Sequence, residues 1–417
     1  MNGWGAGLSY DIGRPAAEGA PVTFASESTE VPFANLDALK GWSHEADRLG
    51  TSYAQYDYSS GRHRLFSIRP ITSRIATRML RTKLISGAER TVRIASGCSR
   101  SVEVPVMLPD EPARIRAHHA ESSPTINFEL LTGHKVEHGP TQMHLLRDVI
   151  IADGAVLGPW SYDRIAPGAR RWFLHGHFDR PAESIFCSTY MTEKYFGHWL
   201  REGMSHELLA DDLGLPALVH DGPVKLHEDG YRQLFSLFAR RTNFAHCDRL
   251  WVLDDTAQNT HWLSRYTRLR EIIRTRVKAP RKGTHCVFMA RGDTAQGRNL
   301  TNRSEVRSAL EQRGWIILEP EREDAETVAR TLSKARLVVS PEGSALGHAT
   351  IAVPPGAGIL TIIGAQHFNV AYKGLCDALG VKFGLTVADA VNESDFHQPI
   401  DRLLHAIDLL DTAVEKN

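Results

Sequence analysis

From residue 281 to the carboxyl terminus, short apolar runs alternate with amphipathic stretches, and this alternation restricts the chain more than any other feature. Cys286–Ala290, Trp315–Leu318, Leu337–Ser340 and Ile359–Ile363 read as strands, while Arg303–Arg313, Ala325–Ala335 and Gly343–Ile351 read as helical. Strands joined by single helices of this length run parallel, because the helix carries the chain back across one face of the sheet. A second zone, 166–280, repeats the theme with the strand-like Ser184–Ser188, a helical stretch from Glu193 to Asp212 and the strand Ala217–His220. A helical Gly230–Arg241, the strand Arg249–Leu253 and the basic linker Arg276–Gly283 complete it. The expected fold is α/β: two Rossmann-like domains, 166–280 and 281–417, facing a cleft, after an irregular β-containing N-terminal region, 1–165, of unclear role. Ligands of such folds bind outside the carboxyl ends of the strands.

The N-terminal region contains β-like runs at Arg90–Ala95 and Val102–Leu108. Between Arg62 and Arg100 it carries ten basic residues against one acid, Glu89. Ile71, Ile75 and Met79 recur at helical spacing, with Arg74, Arg78 and Arg81 on a different face. Such a basic amphipathic helix is read either as a solvated face or as a weak membrane-surface contact through 62–100. Over the whole chain the charges balance: 49 Lys and Arg against 49 Asp and Glu in 417 residues, which argues against a nucleic-acid binder. No apolar run reaches transmembrane length, and Met1–Thr23 has no secretory apolar core. The five cysteines (Cys98, Cys187, Cys247, Cys286, Cys376) are odd in number and lack a Cys-x-x-Cys pair, which fits a reducing compartment. The expected location is cytoplasmic, or peripheral at the inner membrane face.

Three constellations carry candidate chemistry. In Tyr195-Phe196-Gly197-His198-Trp199-Leu200-Arg201-Glu202, a helix places His198 and Glu202 four residues apart on one face, with Ser205 continuing it. An imidazole and a carboxylate so placed supply a base and a group that positions it; a solvated ion pair has the same spacing. In the second, Arg291 ends an apolar strand, Arg298 lies in the following loop, and Asn302 with Glu305 reads as a helix N-cap with its reciprocal glutamate. Two arginines at that rim can clamp a diphosphate. In the third, Val338-Val339-Ser340-Pro341-Glu342-Gly343-Ser344-Ala345-Leu346, a strand ends in a glycine turn that opens a helix. Backbone N–H groups there are available to an anion.

In order and spacing, these three resemble the family 61 glycosyltransferases, which join an aromatic-His-Trp-Leu-x-Glu helix, a strand ending in Arg and an Arg-x-x-x-Asn loop. A Gly-Trp strand, here Gly314-Trp315, and a Gly-Pro-His-Gly-Ser/Ala turn follow, and the resemblance runs over roughly 185–385. It implies a GT-B-like architecture, with 166–280 on the acceptor side and 281–417 binding a nucleotide sugar. The implied reaction is inverting transfer of a sugar to a hydroxyl of a glycan or polysaccharide precursor, free or lipid-linked. Glu202 would be the base, with His198 as alternative base or orienting residue. Arg291 and Arg298, helped by N–H groups at Gly343 and Ser344, would neutralise the leaving diphosphate; Asn302 and Glu342 would line the donor site. Two positions depart from the pattern: Glu342 stands for the turn histidine, and Arg303 for the acid after the asparagine. A catalytically weak, glycan- or nucleotide-binding relative of the same fold is the alternative. No Asp-x-Asp triplet occurs, so no metal or other cofactor is expected. His175-Gly176-His177 forms no ligand triad, and Gly343-Ser344-Ala345 puts serine where a nucleophile elbow cannot use it.

Overall fold

The computed structural model describes residues 29–30, 63–81, 83–166, 174–291 and 299–416. The first sheet is built around β1 (Arg90–Ala95), β2 (Thr141–Ala152), β3 (Glu183–Phe186), β4 (Ala217–His220), β5 (Arg240–Thr242) and β6 (Phe244–Asp254). Their order is β1-β2-β6-β3-β4-β5. β3 to β6 are mutually parallel, but β2 runs antiparallel to both β1 and β6. The expectation of a parallel Rossmann-like sheet confined to 166–280 is therefore corrected. The sheet is mixed, and its antiparallel half comes from residues 90–164, so the expected boundary at 165 falls inside one sheet. β2 escapes a pattern reading because it is buried on both faces and interrupted by exposed Arg147 and Asp148. Val102–Leu108 forms no strand; it contributes one bridge, Val106 to Gly384 of the other sheet.

In the second sheet the four strands expected from the sequence form, joined by a further parallel strand and a short antiparallel one at Phe396–His397. β7 (His285–Met289), β8 (Ile316–Leu318), β9 (Ala335–Pro341), β10 (Gly358–Gly364) and β11 (Lys382–Ala390) are parallel in the order β8-β7-β9-β10-β11. In chain order this is 2-1-3-4-5, a doubly wound sheet whose winding reverses between β7 and β9. Side chains alternate between its faces. Phe288, Val339, Leu360 and Ile362 meet the helices Arg303–Gln312 and Ile400–Glu415, the latter through Leu403, Ile407, Leu410 and Val414. Val287, Met289, Val338 and Ile359 meet Ala325–Leu332, which starts at an Asp324 cap and buries Ala325, Val328, Ala329 and Leu332.

Helices that follow strands of the first sheet join the apolar core of the second. Trp199, Leu200, Met204 and Tyr231 pack with Trp262 and Tyr266 of the long helix Thr260–Arg276, and all join the cluster holding Val338 and Ile351. Tyr266 stacks on Trp262 at 5.2 Å and its hydroxyl meets Thr350 Oγ1 at 2.9 Å. The second zone's expected helix Gly230–Arg241 is shorter, Glu228–Phe235, and Ser236 ends it in the left-handed region with φ 57°. Residues from the N-terminal third also clasp the second sheet. The buried Glu111 carboxylate accepts from Val387 N at 2.7 Å and Thr386 Oγ1 at 3.0 Å. Among the described residues no helix is long and apolar enough to cross a membrane.

Candidate active site

The helical segment after β3 is not one regular helix. Thr189 and Thr192 cap each other at its start, Tyr195 breaks it with extended backbone, and Phe196–His198 restarts it. Trp199–Gly203 then forms a π-helical turn, in which Met204 N–H reaches back to Trp199 O, before Met204–Asp212 resumes α geometry. Single π turns of this kind are frequent at functional sites. His198 Nδ1 and Glu202 Oε1 meet at 2.9 Å, as the spacing predicts.

The surroundings differ from the expected polar face. Arg201, Glu202, Ser205, His206 and Glu207 are all buried, so the segment is enclosed on every side. Ser205 does not extend a ligand face; its hydroxyl donates to Arg201 O at 2.8 Å. Arg201, which sequence reasoning passed over, donates to Glu202 Oε1 at 2.8 Å and lies over the Tyr372 ring at 5.4 Å. Burial alone would raise the Glu202 carboxyl, but the charges of His198 and Arg201 outweigh it and hold it at about 2. His198 keeps 27% of its side chain exposed against 7% for Glu202. The imidazole is thus the accessible member of the triad.

The switch point supplies the opposite side. Phe288 pairs with Val339, so Arg291 and Glu342, each three residues further on, leave neighbouring strands at the same level. Glu342 Oε1 accepts from Asn369 Nδ2 at 3.2 Å, and the Arg291 carbonyl accepts from Arg303 Nη1 at 2.8 Å. Arg303 therefore steadies the backbone beside Arg291. Gly343 has φ 148°, a conformation that favours glycine, and a Cβ there would meet nothing within 4 Å. The expected helix at Gly343 begins later, at Leu346, after a turn in which Leu346 N–H bonds Gly343 O. Arg298 lies outside the described residues. Asn302 stands at the N-cap position without making the expected side-chain cap; its Oδ1 accepts from Gln398 N at 3.1 Å, and its Nδ2 donates to Gln398 O at 2.9 Å and to Glu305 at 3.3 Å. Both ends of that amide serve to pin the helix start to the C-terminal segment.

Contacts between the first and third constellations are direct. A Cβ on Gly197 would lie 2.2 Å from the Tyr372 hydroxyl, 3.1 Å from Ser344 O and 3.2 Å from Ser344 Cα. Only glycine lets the His198 segment sit on the Gly343–Ser344 turn. Gly197→Ala should therefore cost about 1–3 kcal/mol of stability by overpacking and lower activity together with it, measured by chemical denaturation beside turnover. Tyr372, raised by burial and further influenced by Arg201, Glu342 and Glu202, bridges the two walls. It was not legible in the sequence, since no motif or period marks it. From the N-terminal third, Glu121 accepts from Lys194 and Tyr195, and the Tyr195 ring stands 5.9 Å from that of His198.

A small cavity bounded by Ser188, Glu193, Trp199, His220 and Arg232 measures about 10 Å³. That is room for a water and not for a sugar. Among the described residues no three His, Cys, Asp or Glu side chains converge as metal ligands.

Residues 196–360 match the family model Glycosyltransferase 61. The matched stretch carries His198, Arg201 and Glu202 at one end and the β9 turn with Glu342 to Ser344 towards the other, with Tyr372 beyond it. No curated protein matches the chain. Among solved structures, a metal-soaked flavodiiron core from Synechocystis sp. PCC6803 is similar at 11% identity and a TM-score of 0.22. The alignment covers 66% of this chain and 64% of that one, a likeness too slight to bear on fold or function.

Proposed function

We propose that the protein is an inverting glycosyltransferase that moves a sugar from a nucleotide sugar to a hydroxyl of a glycan acceptor, where the His198 segment meets the β7/β9 switch point. The observation that carries this reading is the triad of His198, Arg201 and Glu202 seated against the Gly343–Ser344 turn, inside the stretch that matches the family model. Inversion by direct displacement needs one base for the acceptor hydroxyl and stabilisation of the departing diphosphate. Glu202 is buried and paired with Arg201, whereas His198 keeps the larger exposure, so this reading makes His198 the base and Glu202 its orienting partner. In this reading the imidazole carries its proton on Nδ1, 2.9 Å from Glu202 Oε1, and the other ring nitrogen takes the acceptor proton as the hydroxyl oxygen attacks the anomeric carbon. Glu202 orients the ring and balances the imidazolium that forms, as the carboxylate of a hydrolytic triad does. The nucleoside diphosphate leaves with the bonding pair, its charge met by Arg291 and Arg298 and by the N–H groups of Gly343 and Ser344.

The test is a panel of nucleotide sugars read for free nucleoside diphosphate, with the anomeric configuration of the product followed by NMR. Arg291→Ala should weaken nucleoside diphosphate binding by about tenfold or more, the loss of one charge-assisted contact. Chelator should leave turnover intact, because arginines and a backbone turn hold the diphosphate; strict dependence on Mn²⁺ or Mg²⁺ would contradict that. Glu342 favours a second reading, a catalytically weak glycan- or nucleotide-binding relative, because its carboxylate sits where a diphosphate charge would lie. Nucleotide binding without turnover across the panel would select it.

A further inference from the structure

Among the described residues, the basic helix of the N-terminal third, Arg69–Leu80, is anchored on one side. Pro70 and Ser73 are its buried residues, the Ser73 hydroxyl donates to Gly158 O at 2.8 Å, and the Arg69 guanidinium pairs with Asp148. Arg74 lies over the Tyr162 ring at 5.1 Å. These contacts fix which side faces outward. That side presents Ile75 at 53%, Met79 at 76% and Leu80 at 66% exposure, with Ile68 at 50% just before the helix. Exposed Arg64, Arg78, Arg81 and Lys83 border them. No Asp or Glu occurs between Arg64 and Ala88. The acids of the elements beneath are turned to other work: Asp148 holds Arg69 and His246, and Asp163 is raised by burial.

We propose that this face docks the protein onto an anionic lipid surface. Charge complementarity selects that occupant: a convex helix with large apolar side chains between cations, and no acid among them, matches acyl chains flanked by phosphate headgroups. Ile75, Met79 and Leu80 enter the headgroup boundary while Arg78, Arg81 and Lys83 reach the phosphates. Nothing in this inference depends on the transfer reaction, and its readout uses no turnover.

The experiment sediments the full-length protein with phosphatidylcholine vesicles, with and without phosphatidylglycerol. The protein should pellet with the anionic vesicles alone and be released as salt is raised, because screening shortens the reach of the attraction. Arg78→Glu with Arg81→Glu should cut partitioning by about 20-fold or more, since each basic residue near such a surface contributes about fivefold. Met79→Ser with Leu80→Ser should also cut it, about tenfold or more, at unchanged charge. All four positions are exposed, so cooperative melting should persist in both variants. Protein that stays in the supernatant with anionic vesicles at low salt overturns the proposal, as does binding that neither pair of substitutions alters. A concentration-dependent dimer dispersed by Met79→Ser with Leu80→Ser would assign the face to a second copy and overturn it equally.

Discussion

His198→Ala should lower turnover by about 10²–10⁴-fold, the range for losing a general base, with nucleoside diphosphate affinity little changed if, as proposed, the ring serves the acceptor. The expectation rests on accessibility and partnership. His198 is the most accessible member of the triad, and its Nδ1 meets Glu202 Oε1 at 2.9 Å. His198→Gln, which keeps a polar side chain but cannot take the proton, should fall with the alanine variant. Retention of near-normal turnover in both, with loss in Glu202→Gln, would return the base to the carboxylate.

Removing the triad's carboxylate should act mainly on stability. Arg201 is buried, and its described carboxylate partner is Glu202. Breaking a buried pair from one side leaves an uncompensated charge, so Glu202→Ala should destabilise by ~3–5 kcal/mol, and Glu202→Gln by less because an amide still accepts a hydrogen bond. Arg201→Met in the Glu202→Gln background should recover part of the loss, and a double-mutant cycle by urea denaturation measures the coupling. The sign of the pH dependence follows from the depressed carboxyl. At about 2 in the fold against ~4.3 in an unfolded chain, the folded state binds this proton less tightly. The stabilisation is complete above ~pH 5 and drains away as pH falls through 4 towards 2. Stability that does not weaken more steeply in wild type than in Glu202→Gln over that window would contradict the assignment.

The contact between His198 and Glu202 illustrates what residue spacing conveys. Four residues of helix bring the two together, and the 2.9 Å contact agrees. Spacing does not say which partner is wet. Arg201 decides that, because its guanidinium lies against Glu202 under the Tyr372 ring and closes the carboxylate off. Nothing in the local pattern marks Arg201 as buried, since an arginine beside a glutamate ordinarily faces solvent.

What the sequence determined by itself was the second sheet and the residues at its rim. Single apolar strands joined by short amphipathic helices leave one economical solution, a parallel sheet covered on both faces, and the order 2-1-3-4-5 sets Arg291 and Glu342 side by side at the switch point. The first sheet was decided only in three dimensions. β2 pairs with β6 across some hundred residues of chain, from Gln142 against Asp254 to Ala152 against Phe244, and no local period encodes a partner so distant. The same holds for the site's outer wall. Tyr372 and Asn369 come from one segment and Glu121 from another, and each is placed by packing against a neighbour remote in sequence: Gly197, Glu342 and Lys194 respectively. Periodicity reports which face of an element is apolar, whereas contact between elements is a property of the whole packed core, and that core settles which polar groups end up enclosed with which.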